Sequence, residues 1–394
     1  TVIGGAGDLA TRRIAPALFR LYRAGRLPDG FALVGGARRE LDDAGYRAML
    51  ESACREAEPG FDAAAWEAFS RGVSYLRGDA SDRLIFRLVS AGATSIGILG
   101  PNIPENRAFT GFARAFRAAG LAVPEIYAIA DGHGAYIEED LGDVTLALWQ
   151  EALGAERRAE LLEMYATVLG ELVRFQVDAA DAVDYGLCYQ TAEFGEEAMA
   201  FDVTYFRTHV LERLVRGEWD RDTFDRETRA LVALLLHAPR DAFLYRDFQS
   251  RNIMIRDGAP CFIDFQSGRR GAVHYDVAAL LYDSRSHLGE SERLALVARY
   301  CDALAERRPV DRDEFLFFFH GFAVLRLLQA LGAFANIGLN KGKPDYLELI
   351  PSRLAALGEL LRAAEIMRPL SGLRALLLDL AGDLHALAIP TRRD

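Results

Sequence analysis

Tyr245-Arg246-Asp247-Phe248-Gln249-Ser250-Arg251-Asn252 runs into Ile253-Met254-Ile255, turns at Asp257-Gly258 and returns through Cys261-Phe262-Ile263-Asp264-Phe265. Two short apolar runs around an Asp-Gly pair predict a β-hairpin. The stretch therefore places one Asp on a loop, an Asn five residues later, and a second Asp at the end of the returning strand. Phosphoryl transfer needs such a set. One carboxylate orients the acceptor hydroxyl and takes its proton, while a carboxamide and a second carboxylate hold the magnesium that neutralises the phosphate oxygens.

Upstream, Leu84, Phe86 and Leu88 alternate with Ile85 and Arg87, and Ser95 to Leu99 reads as a further strand. A break at Pro101, a helix from about Glu105 to Ala119 and strands near Ile126–Ile129 and Ala135–Glu138 complete a small sheet-based lobe. From Val144 onward the pattern is mostly helical, with Leu161, Leu162, Tyr165, Val168, Leu169, Leu172 and Val173 forming one apolar face. Only Phe243 to Phe265 departs from it.

These motifs resemble the aminoglycoside phosphotransferase family, a branch of the protein-kinase-like fold, over roughly residues 78–365. The resemblance implies that Asp247 is the catalytic base and that Asn252 and Asp264 are the magnesium ligands, with Tyr245 standing where the family usually has His. It implies further that backbone groups of Glu139, Asp140 and Leu141, in Glu138-Glu139-Asp140-Leu141-Gly142, meet adenine. Gly78 to Arg87 would cover the nucleotide phosphates, and Asp276, in Tyr275-Asp276-Val277-Ala278 at the helix start after the metal motif, would cap or brace the loop rather than do chemistry. Kinases ordinarily hold phosphate with a lysine on the third strand, but the only lysines here are Lys341 and Lys343. Arg83 or Arg87 is the candidate to take its place, with Ser81 among the small residues of the stretch that would cover the phosphates. Asp-Ala-Ser-x-Arg before an apolar strand, and Glu-Asp-Leu-Gly at the hinge, are similar to the kinases of N-acetylmuramate and N-acetylglucosamine. The implied reaction is transfer of the γ-phosphoryl of ATP, with Mg2+, to a sugar or amino-sugar hydroxyl. Glu193, Glu196, Glu197 and Asp202 could serve as an acidic acceptor site or form a solvated surface run. A nucleotide-binding pseudokinase without turnover is the rival class.

The chain opens differently. Gly4-Gly5-Ala6-Gly7-Asp8-Leu9 sits between a strand and a helix whose apolar positions are 14, 17, 18 and 21, and Phe31–Val34 closed by Gly35-Gly36 reads as a parallel strand. With Val34-Gly35-Gly36-Ala37-Arg38 and Trp66 to Asp79, this resembles the NADP-binding opening of glucose-6-phosphate dehydrogenase. Carried across, Gly4, Gly7, Asp8 and Leu9 line a pyrophosphate and Arg38 meets a 2′-phosphate. The rest of that enzyme, including its His-Asp pair and lysine-bearing loop, has no counterpart here, so the NADP site reads as vestigial and a dehydrogenase-related fusion as the third alternative. The expected fold is α+β: a partial Rossmann-like βαβ unit at 1–77, a two-lobed kinase with a β-rich lobe at 78–143 and a helical lobe at 144–365, and a helical tail at 366–394.

Composition narrows the partners. With 46 basic and 57 acidic residues and a net charge of −11, nucleic acid and anionic membrane are poor partners. Uninterrupted apolar stretches such as 231–236 and 315–319 fall far short of the ~20 residues a bilayer crossing needs. Cysteines at 54, 188, 261 and 301 form no metal-type pair and predict buried thiols in a reducing cytoplasm. Thr1, with a strand under way at Val2, reads as a clipped start without a leader.

Overall fold

The computed structural model describes residues 2–3, 10–27, 33–37, 41–58, 60–77, 83–90, 93–383 and 387–389. The chain divides into two compact units, Thr1–Asn106 with Glu125–Asp140, and Arg107–Pro124 with Leu141–Asp394.

In the first unit, β1 (Val2–Ile3), β2 (Leu33–Ala37) and β3 (Val73–Arg77) form a parallel sheet in that order. Three helices link them: α1 (Ala15–Arg23), α2 (Asp43–Ala57) and α3 (Ala63–Ser70). Gly25, at φ +63, follows the end of α1, and Asp42 caps α2 by accepting the Gly45 amide at 2.7 Å. Sequence periodicity did not separate α3 from α2. Asp62 starts it by accepting the Ala65 amide at 3.0 Å. Phe19, Tyr46, Leu50, Trp66 and Phe69 bury a core of their own, with the rings of Phe19 and Trp66 edge-on at 5.3 Å. Gly35 is required there, since a Cβ would lie 2.1 Å from the Tyr46 ring.

The same unit contains an antiparallel sheet of β4 (Leu84–Ser90), β5 (Ala93–Leu99), β6 (Ile126–Ile129) and β7 (Ala135–Glu139), in the order β4-β5-β7-β6. The helix α4 (Ile103–Ala118) leaves this sheet after β5 and ends in the second unit.

The second unit is helical apart from two small sheets. Its helices are α5 (Leu146–Leu153), α6 (Arg158–Val173), α7 (Glu196–Phe206), α8 (Arg221–Leu235), α9 (His274–Leu281), α10 (Glu290–Ala305), α11 (Arg312–Asn340), α12 (Ile350–Ala363) and α13 (Ser371–Gly382). The strand β8 (Ala242–Leu244) pairs with β11 (Arg269–Gly271), and β9 (Ile253–Arg256) with β10 (Ala259–Phe262), both antiparallel. An aromatic cluster of Phe112, Phe116, Phe175, Phe243, Tyr245, Phe262 and Phe265 underlies these sheets. Although no long unbroken apolar run occurs in the sequence, α11 is long and apolar enough to cross a membrane. Of its most apolar window, 72% is buried within the protein, so those side chains serve the core. All four cysteines are free thiols, Cys54 and Cys301 buried and the other two half-buried.

Candidate active site

The hairpin brings the three sequence-predicted polar residues together. Asp257 and Gly258 both adopt positive φ, +51 and +79, as a tight two-residue turn demands. The register pairs Ile253 with Phe262, and the Ile263 amide donates to the Asn252 carbonyl at 3.1 Å. Asn252 enters one strand as Asp264 leaves the other, so the Asn252 amide Nδ2 donates to Asp264 Oδ2 at 3.1 Å and to the Asp247 carbonyl at 2.8 Å. Both bonds use the nitrogen, which leaves the Asn252 side-chain oxygen Oδ1 available to ligate a cation. Gln266 Nε2 holds the other Asp264 oxygen at 2.7 Å. Asp264 sits at φ +69, a left-handed backbone that a non-glycine residue adopts at a cost of about 1 kcal/mol or more, and such strain clusters at functional sites.

The loop ahead of the hairpin is pinned from α9. Asp276, fully buried, accepts the Tyr245 amide at 2.7 Å, the Arg246 amide at 2.9 Å and Gln176 Nε2 at 3.2 Å. Burial outweighs those donors and pushes its carboxyl up to about 6. Asp283, just past α9, accepts the Ser250 amide at 2.9 Å. Tyr245 is buried and its hydroxyl donates to the Ile263 carbonyl at 2.6 Å, which ties the loop across the hairpin. Arg246, at φ +79, makes a bidentate ion pair with Asp202 at 2.7 and 2.8 Å. Asp247 follows it. Burial and the neighbouring Asp264 charge raise its pKa above the ordinary carboxylate range, opposed by Arg246, Arg326 and a hydrogen bond from Ser267.

Asp202 corrects one sequence expectation. Glu196 and Glu197 are exposed, and Glu193 pairs with Arg240, but Asp202 is fully buried against Arg246. It is neither a surface charge nor an open ammonium site. Of the arginines considered for phosphate, Arg87 Nε lies 2.7 Å from Asp140 at the hinge. Arg83, just before β4, lies 3.2 Å from Glu105 in the first turn of α4. The Glu139 amide donates to the Glu125 carbonyl at 2.9 Å, and Leu141 is buried. Gly4, Gly7, Asp8, Leu9, Arg38 and Ser81 lie outside the described residues.

Among the described residues no cluster of three or more His, Cys, Asp or Glu is placed to hold a metal. One carboxylate and one carboxamide are what magnesium takes when phosphates and water complete its shell, so Asn252 and Asp264 fit that ion.

Residues 65–310 match the family described as phosphotransferase enzyme family, and residues 1–97 match glucose-6-phosphate dehydrogenase, NAD binding domain. The chain is 31% identical over 269 residues to the N-acetylmuramate/N-acetylglucosamine kinase of Neisseria meningitidis, covering 66% of this chain and 76% of that one. Its opening is 38% identical over 82 residues to glucose-6-phosphate 1-dehydrogenase of Leuconostoc mesenteroides, covering 21% of this chain and only 16% of that enzyme. Among solved structures, choline kinase from Cryptosporidium parvum superposes with a TM-score of 0.50 at 11% identity, over 84% of this chain and 99% of that one, which shows a shared kinase-like fold. The chain belongs to the phosphotransferase enzyme family, as a kinase whose acceptor group is a hydroxyl.

Proposed function

We propose that the protein transfers the γ-phosphoryl group of MgATP to a hydroxyl of an amino sugar, with residues 78–143 and 144–365 as the two lobes of the kinase. The observation that carries this reading is the hairpin register, which lets the Asn252 side-chain amide donate to both Asp264 and the Asp247 carbonyl. Asp247 accepts the proton of the acceptor hydroxyl as its oxygen bonds to the γ-phosphorus. The bond from that phosphorus to the β,γ-bridging oxygen breaks, and its electron pair leaves with ADP. Ser267 orients the Asp247 carboxylate, and its raised pKa keeps it a competent base rather than an inert anion. Asn252 and Asp264 would hold magnesium, which neutralises charge on the phosphates. Backbone groups of residues 139–141 take the adenine, and Arg83, steadied by Glu105, supplies positive charge where the third strand carries no lysine.

N-acetylated amino sugars are the acceptors, phosphorylated on the anomeric oxygen, as the kinship with kinases of that name supports. Aminoglycosides are poor acceptors, because Asp202 is already neutralised by Arg246. Residues 1–77, whose three parallel strands are joined through helices, form a partial Rossmann-like unit without a part in phosphoryl transfer, and the tail from 366 carries the helix α13 (Ser371–Gly382). A reducing, ATP-supplied cytoplasm suits four free thiols. The test is a coupled assay of ADP release with N-acetylglucosamine and N-acetylmuramate, with phosphorus NMR of the product. Asp247→Asn should lower kcat by ~100-fold or more while ATP binding stays nearly intact. An unchanged kcat removes Asp247 from the mechanism, and efficient phosphorylation of kanamycin with none of the amino sugars reverses the acceptor.

A further inference from the structure

Arg269, the first residue of β11, is 3% exposed. Burying a guanidinium strips its hydration, a loss that folded proteins normally offset with a facing anion. Arg246 has Asp202, Arg293 has Glu290, and Arg353 meets carbonyls at the C-terminal end of α9. Arg269 has no carboxylate partner among the described residues. Its Nε donates to the Ser267 carbonyl at 3.0 Å, Nη1 to the Thr191 hydroxyl at 2.9 Å and Nη2 to the Gln190 side-chain carbonyl. All three acceptors are neutral, and among the described residues it makes no ion pair. A guanidinium has five N–H groups, so two are left over.

The side chain also lies in a telling place. Arg269 lines a cavity of about 520 Å³, large enough for a monosaccharide, together with Gln190, Thr191, Tyr205, Arg246 and Asp247. Asp202 neutralises Arg246, Asp247 is the base, and Glu197 stands exposed at the rim. Arg269, a buried cation without a carboxylate partner among the described residues, thus shares a chamber with the group that receives the acceptor's proton.

We infer that this chamber takes an acidic acceptor: a carboxylate on the sugar pairs with the two remaining N–H groups of Arg269 while a hydroxyl of the same molecule meets Asp247. The inference rests on the kinase reading above. It makes Arg269 a specificity-determining residue and excludes polycationic acceptors by repulsion.

The test compares N-acetylmuramate, which carries a lactyl carboxylate, with its methyl ester, which removes the charge at the cost of one added methyl group. For wild type, kcat/KM should favour the acid by about 10-fold or more, carried by KM, as a charge-assisted bidentate contact supplies. Arg269→Gln should abolish that preference, and Arg269→Lys should restore part of it. Melting temperatures report folding, and if Arg269→Gln does not fold, the wild-type comparison of acid with ester decides alone. Equal kcat/KM for acid and ester in wild type overturns the anionic subsite and leaves the kinase reading standing. Calorimetric binding of the acid in preference to the ester, with transfer to neither, supports the subsite and overturns the kinase reading.

Discussion

Replacing Asp276 with Asn tests whether the catalytic loop is held by a buried carboxylate. In the native chain two oxygens serve three donors: Oδ1 takes the Arg246 amide, and Oδ2 takes the Tyr245 amide and Gln176. An Asn side chain keeps one oxygen and turns an NH2 toward the remaining amide. One buried N–H then lacks an acceptor, which costs about 1–3 kcal/mol, or a fall in Tm of roughly 3–8 °C for a domain of this size. Because the unpaired amide is adjacent to Asp247, kcat per folded molecule should fall about tenfold, less than the ~100-fold that a 1 Å misplacement can cost. The pH dependence has a definite sign. The Asp276 pKa is raised in the folded chain, from 3.8 to about 6, so its contribution is complete below pH 3.8 and is lost as pH rises through 6. Asn does not titrate, so the variant's deficit should be larger at pH 5 than at pH 7, by about 1 kcal/mol. Denaturant melts at both pH values, paired with turnover corrected for folded fraction, read all three effects. A variant with native Tm and native kcat refutes the bracing role.

Asp264→Ala should weaken binding of MgATP, since the Asn252 oxygen alone supplies no anionic ligand; equal affinities by calorimetry refute the metal assignment. His274, packed against the rings of Phe315, Phe318 and Phe322, has its imidazole pKa pushed from 6.5 down to about 3 by burial. It therefore contributes stability above pH 6.5 that is lost as pH falls toward 3, at about 1.4 kcal/mol per unit, and His274→Phe should flatten that acid limb in denaturant titrations. An acid limb as steep as wild type's removes His274 as its source. Deleting residues 1–77 should leave kcat per folded molecule unchanged, whereas NADP+ reduction by the full chain with glucose 6-phosphate refutes the dispensability of that unit.

Local features were legible in the sequence. Asp-Gly between two apolar runs specified the β9–β10 hairpin, and the hairpin's register then placed Asn252 beside Asp264 without distant information. The bracing part expected of Asp276 is matched by its bonds to Tyr245 and Arg246. What escaped notice depends on partners far along the chain. Asp202 carries no sign of burial in its acidic neighbourhood, because the arginine that neutralises it is 44 residues away. Arg269 lies in Gly268-Arg269-Arg270-Gly271, a composition that suggests an exposed turn, yet three residues pair with β8 and carry it inside. The helix α11 was obscure for another reason: its apolar residues are spread around its circumference and interrupted by polar ones, so no single run announces a 29-residue core helix.

The Asp202–Arg246 pair has a consequence for how this protein can change its diet. Ala198, Phe201, Asp202 and Tyr205 on α7 all line the chamber proposed for the acceptor. Asp202 alone among them is bound by ion pair to the residue preceding the base. A neutral substitution there leaves Arg246, the residue ahead of the proposed base, uncompensated, at about 3–5 kcal/mol. Ala198, Phe201 and Tyr205 carry no such obligation, and Phe201 is 63% exposed. New acceptor preferences are therefore reachable by mutating one face of a single helix around a fixed aspartate, with the transfer step left in place. A library randomised at those three positions leaves the Asp202–Arg246 pair intact in every member, whereas one that includes Asp202 does not.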